Sequence, residues 1–297
     1  AVYRSARGAL EGGVEAAAAR GHWRAALGAE RTTLTNEWWV RNTFTNSLGF
    51  AWKGSDYFDY YRSTRAYGRL ERALAAGAWT LAPWVGAQRE EAASLAARDP
   101  WVLFSPDSVR PNPPVDDGWL TSATAGLDVE WSSPSAGFEG GLELEAGRPE
   151  VGEEFGRFLV DGEWNMDALF GHRLEIEGHF RGPLPGTERV PLRRWSMVGD
   201  LGTLRTLDAP LRGDRVVWVE TEYIIPLPAR WRLPLLGAPD LELLHEVGMA
   251  WSADERRDFV ENIGVRLQFF VVYLRVLTDP SDPVGELKLD LGVSSPF

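Results

Sequence analysis

Apolar and polar residues alternate one by one along most of this chain, the two-residue period of a strand and not the 3.6-residue period of a helix. Over residues 9–19, Leu10, Val14, Ala16 and Ala18 alternate with Glu11, Gly13 and Glu15. After a short turn, Trp23, Ala25, Leu27 and Ala29 alternate with Arg24 and Glu30, so the start reads as a hairpin. A strand over 38–52 is expected next, with Val40, Phe44, Leu48 and Phe50 opposite Arg41, Thr43 and Thr45. Further strands are expected at 66–75, 78–90, 123–131, 138–145, 156–166, 172–181, 214–226, 240–251, 260–269, 271–278 and 285–297. That makes about fourteen in all, with twelve to sixteen allowed. The longer polar or proline-rich segments, 54–64, 91–119, 147–155 and 182–213, all fall at one end of such an array, and most of the opposite turns are short.

A β-sandwich alternates too, but its strands average about five to six residues, whereas several here run to about ten to twelve, the length a tilted strand needs to cross a bilayer. Backbone groups in lipid cannot stay unpaired, so strands of that kind close into a cylinder. The expected fold is therefore all-β, a single transmembrane antiparallel β-barrel over residues 1–297. Composition agrees: 11% of the residues are aromatic and fourteen are tryptophan, an excess that forms girdles when it falls at strand ends. No apolar run approaches the roughly 18 residues of a helical span. The absence of cysteine removes disulfides and thiolate metal sites, and a formal charge of −12 argues against nucleic acid as a partner.

Glu130, Glu139, Glu143, Glu175, Glu177, Glu220 and Glu222 form an inward row. They read either as paired carboxylates for acid and base work or as the wall of a hydrated acidic lumen. The second reading is preferred, because no nucleophile and base cluster with them. The four histidines show no HExxH-like spacing, so no enzyme, metal or cofactor is expected.

The loop GDLGTLRTL (199–207), the strand VETEYIIP (219–226) and the terminal Phe297 resemble the C-terminal barrel of the outer-membrane assembly factor superfamily, the BamA/TamA-type, bacterial surface antigen barrels. The resemblance is clearest over 195–297. It implies that the loop folds into its own lumen and carries a Val-Arg-Gly-Phe/Tyr motif. Leu204, Arg205, Thr206 and Leu207 stand at that place, keeping the arginine and lacking the glycine and the aromatic residue. LHEVG (244–248) followed by Trp251 resembles the wall strand whose acid pairs with the loop arginine, which implies an ion pair between Arg205 and Glu246. Glu246 is expected toward the lumen, with Leu244 and Ala250 toward lipid. Glu220, Glu222 and Tyr223 belong to the motif strand. Leu289, Leu291, Val293 and Phe297 share a face that ends in an aromatic residue, like the signal read by the outer-membrane insertion machinery.

By resemblance, the expected protein is a monomeric barrel of the bacterial outer membrane. It would insert barrel proteins or move polypeptide across, its partners being outer-membrane lipid and a client or passenger chain. The family's POTRA module has no room upstream of residue 9, so none is expected in this chain. A passive channel is the alternative, its acidic lumen favouring cations.

Overall fold

The computed structural model describes residues 2–4, 9–37, 39–40, 58–95, 112–199, 203–207, 209–233, 236–255, 257–270 and 272–293. Its first half contains β1 (Val2–Arg4), β2 (Ala9–Arg20), β3 (Trp23–Leu34), β4 (Tyr61–Arg72), β5 (Leu74–Ala76), β6 (Trp79–Ser94), β7 (Gly118–Ser132) and β8 (Ala136–Pro149). Then come β9 (Phe155–Asp167), β10 (Arg173–Pro183), β11 (Ser196–Val198), β12 (Leu211–Gly213) and β13 (Arg215–Pro226). The last four are β14 (Asp240–Trp251), β15 (Val260–Phe269), β16 (Val272–Thr278) and β17 (Lys288–Val293).

Fourteen of these lie side by side in chain order, each antiparallel to the next; β5 adds a short rung to β6, and β11 pairs with β12 as a separate hairpin. Register fixes which face each side chain takes. Trp84 stands opposite Gly126, Gly126 opposite Glu143 and Glu143 opposite Leu159, all inward, while their chain neighbours point out. The outward set includes Val14, Leu27, Val85, Leu142, Leu144, Val160, Leu243 and Val265, all left exposed. In water such a belt would drive association; in hydrocarbon it is the solvated surface.

Tryptophans bound the belt. Trp23, Trp79 and Trp131 sit at the short-turn rim, where Trp79 and Trp131 are register partners with ring centroids 5.8 Å apart. At the other rim, the Arg89 guanidinium lies 4.7 Å from the ring centroid of Trp119. Trp119 and Trp131 are twelve positions apart on β7. At about 3.3 Å per residue and a tilt of about 45°, that is ~28 Å along the membrane normal, close to the thickness of the hydrocarbon core.

Connections at one end are short (21–22, 133–135, 168–172, 270–271), apart from 227–239; the long ones, 35–60, 95–117 and 184–214, share the other end. Two expectations change. The main path has the expected fourteen strands with a different membership: β3 pairs directly with β4 from Leu34 opposite Tyr61, so 38–52 adds no strand there, and β1 takes its place in the tally. Residues 38 and 41–52 lie outside the described residues. Trp39 and Val40 form a turn, the Val40 N–H donating to the Glu37 carbonyl at 2.9 Å, and Trp39 packs into the lumen and not into a ladder.

Leu244 and Ala250, expected toward lipid, share the inward face of Glu246, as the two-residue period requires; all three are buried. The outward face also carries one polar pair on β14 and β15, His245 Nε2 to Glu261 at 2.8 Å.

Candidate functional site: a loop folded into the lumen

The connection from β10 to β13, residues 184–214, runs inside the sheet. Pro191 precedes a single tight turn at Leu192–Arg194, which delivers two arginines inward, and the β11–β12 hairpin follows. Gly213 is required where the hairpin returns to the wall: a Cβ there would lie 1.9 Å from the carbonyl oxygen of Trp251.

Arg194 ties the loop to one side of the lumen. Its guanidinium reaches Glu145 on β8 at 3.1 Å, Glu90 on β6 at 2.8 Å and the Tyr61 hydroxyl on β4 at 3.1 Å. Arg157 on β9 donates to the Arg194 carbonyl at 3.3 Å and to Glu145 at 2.6 Å, while the Ser63 hydroxyl donates to Glu90 at 2.7 Å. Burial alone would push the Arg194 guanidinium toward its neutral form, but Glu145, Tyr61 and Glu90 around it outweigh that and raise its pKa well above the usual arginine value. Next to it, Arg193 pairs with Asp116 at 2.9 Å and donates to the Gly118 carbonyl at 3.0 Å.

The hairpin tip reaches the other side. The Leu204 N–H donates to Glu246 at 3.1 Å, the Thr206 hydroxyl donates to Asn262 at 2.6 Å, and the Asn262 amide donates to Glu246 at 3.2 Å. Leu204, in a left-handed conformation (φ 42°), is fully buried against Trp39, Val198, Val216, Trp218 and Ala250. Leu207 packs against the same cluster, and its N–H donates to the Leu204 carbonyl at 3.0 Å.

The pairing implied for Arg205 and Glu246 is replaced. Arg205 pairs with Asp290 on β17, which also meets Arg275 at 3.4 Å, and Glu246 holds the backbone beside the arginine. The left-handed turn at Leu204 aims its N–H at β14 and sends the next side chain three strands further round. Because one loop touches inward residues from β4 to β17, the sheet curls around it.

In the motif strand, Glu222 pairs with Arg266 at 2.6 Å, and Arg266 also pairs with Glu242. Tyr223 faces outward, 2.8 Å from His172 Nδ1. Glu220 belongs to an unbroken register: Glu130, Glu139, Glu163, Glu177, Glu220 and Glu246 stand directly opposite one another from β7 to β14. The first four line a cavity of about 630 Å³ below the loop, together with Trp39, Trp84, Asp128 and His179. Leu289 and Leu291 are exposed on the outward face. The Val293 side chain and Phe297 lie outside the described residues. Arg194, Glu90, Glu145 and Asp290 escaped the sequence reading. The one signal for them was the Arg193-Arg194 pair set between Pro191 and Trp195.

Fold and site together define a membrane-type β-barrel whose own loop fills part of its lumen. No family model and no curated protein matches the sequence. Solved structures do. CdiB from Acinetobacter baumannii aligns at a TM-score of 0.55 with 12% identity, over 98% of this chain and 51% of that one. CdiB from Escherichia coli gives 0.54 and 13%, over 95% and 52%. BamA from Haemophilus ducreyi lacking POTRA domains 1–3 gives 0.50 and 12%, over 92% and 59%. The chain shares the barrel fold of these structures and spans little more than half their length.

Proposed function

We propose that this chain handles polypeptides at a bacterial outer membrane, inserting barrel proteins or moving a passenger across, and that it rests with its lumen obstructed. The loop bound at both sides of the lumen supports this reading most directly: a pore built for steady flow has no use for a buried Arg194–Glu145–Glu90 cluster that holds an obstruction in place. Outer-membrane lipid and a polypeptide client are the partners this reading requires, and a single copy of the barrel suffices. Reconstitution in liposomes tests it. Accelerated folding of an unfolded client barrel, or passage of a client segment, with low conductance from the intact protein, is the expected result. Large, steady conductance without any effect on a client would overturn it.

One observation favours a second reading, a cation-favouring channel. The six-glutamate register forms a row of one charge sign, and four of its members line the cavity beneath the loop, as in the acidic rings cation pores use. Ion selectivity measured with the loop in place separates the two.

A further inference from the structure

The segment that follows β3 closes over the lumen loop. Asn36 donates its amide to the carbonyls of Arg193 at 2.8 Å and Trp195 at 2.7 Å, and Trp39 packs against Val198 and Leu204. Between them sits Glu37, only 1% exposed. One carboxylate oxygen accepts from the Thr35 hydroxyl at 2.7 Å and the Asp59 N–H at 3.3 Å; the other accepts from the Ser196 hydroxyl of the lumen loop at 3.3 Å.

Among the described residues, the charges facing Glu37 are few. Asp59 precedes β4 and is engaged by Arg212 of β12 at 2.8 Å. From β10, Arg181 lies with its guanidinium 6.0 Å from the centroid of the Trp39 ring, and His179 packs its ring 4.2 Å from the same centroid. The contact between the two segments therefore encloses two carboxylates within one buried joint.

We propose that Glu37 is a proton-operated latch: protonated, it holds Asn36, Glu37 and Trp39 against the lumen loop, and ionised, it loosens that joint. A neutral carboxyl keeps the Ser196 contact and carries no charge against Asp59. An ionised one faces the charge of Asp59 in a buried site, and its displacement would take Asn36 and Trp39, the other two clamps, with it.

Burial first, and Asp59 second, push the Glu37 carboxyl up from 4.5 to about 7, against the pull of Thr35 and Arg181. The sign follows from linkage. A carboxyl whose pKa is raised in the docked state stabilises docking fully below about pH 4.5, and that contribution is lost as the pH rises through about 7.

The chain contains no cysteine, so a single thiol reports the joint. Met197→Cys, placed at a residue 3% exposed in β11, is labelled with a maleimide across the pH range, alone and together with Glu37→Gln. Taking the ratio of the two rates at each pH cancels the thiol's own titration. Linkage with the two pKa values above gives a rise in this ratio of roughly thirtyfold from about pH 5.5 to about pH 8.5. Asp59→Asn, which removes the repelling charge, moves the midpoint down. A ratio constant within about twofold over this range overturns the latch, and so does a midpoint that Asp59→Asn leaves in place. The readout needs no client, so its outcome is separate from that of the polypeptide-handling reading.

Discussion

Glu177 on β10 and Glu220 on β13 stand directly opposite each other, within a row of six glutamates that crosses β7 to β14 at one level. Like charges directly opposite destabilise a sheet, so the row costs stability wherever water in the lumen does not screen it. Replacing one rung, Glu163→Gln, should raise stability by about 0.2 to 1 kcal/mol at neutral pH, read as a higher urea midpoint for the barrel in micelles. A lower midpoint would mean that a cation holds the rung.

Arg194 carries the opposite expectation. Arg194→Ala removes the ion-pair partner of Glu90 and one of the two arginines on Glu145, both carboxylates 1% exposed, and should cost about 3 to 5 kcal/mol. Thermal unfolding measures the loss, and limited proteolysis should show faster cleavage within 184–214. Adding Glu90→Gln should recover part of the loss, because the charge left behind is the costly element. If the single variant melts like the parent, the cluster does not anchor the loop.

Double-mutant cycles separate the two arginine partnerships at the hairpin tip. Arg205 and Asp290 share an ion pair and should couple by about 0.5 to 3 kcal/mol, whereas Arg205 and Glu246, joined only through the Leu204 backbone, should couple less. Glu246→Ala alone removes the acceptor for the buried Leu204 N–H, at a cost of about 1 to 3 kcal/mol. Strong coupling between Arg205 and Glu246 would restore the partnership that the family resemblance implies.

The outward face predicts a dependence on depth. Leu142 lies mid-strand on β8 and points out, so Leu142→Arg should cost about 2 to 4 kcal/mol in a bilayer. Its neighbour Glu143 points in, and Glu143→Gln should cost far less. Equal costs for both variants, measured by reversible folding into vesicles, would contradict the assignment of faces.

The strands were legible because each clean segment states its own register: Leu142 and Leu144 against Glu143 and Glu145 leave one arrangement that keeps charge out of lipid. Residues 38–52 alternate equally well yet add no rung between β3 and β4, because alternation records only that a segment has two faces. Trp39 spends its apolar side inside the lumen, on Trp218 and Leu204. The loop was legible as a loop, and its arginine as inward, but the partner was not. A side chain that follows a left-handed residue leaves in a direction that sequence spacing does not encode, and Leu204, unlike glycine or asparagine, gives no warning of that conformation. Arg194 was missed for a related reason: loop arginines are usually solvated, and only its three wall partners, on strands far apart in the chain, show that this one is not.

The loop also bears on how the wall responds to force. Its tip binds Asp290 on β17, and its base is clamped by Arg194 to β6 and β8. A sideways pull on the last strand is therefore resisted by a tie running across the interior as well as by the ladder to β16, and the stiffness of that edge is set in part at the far side of the cylinder.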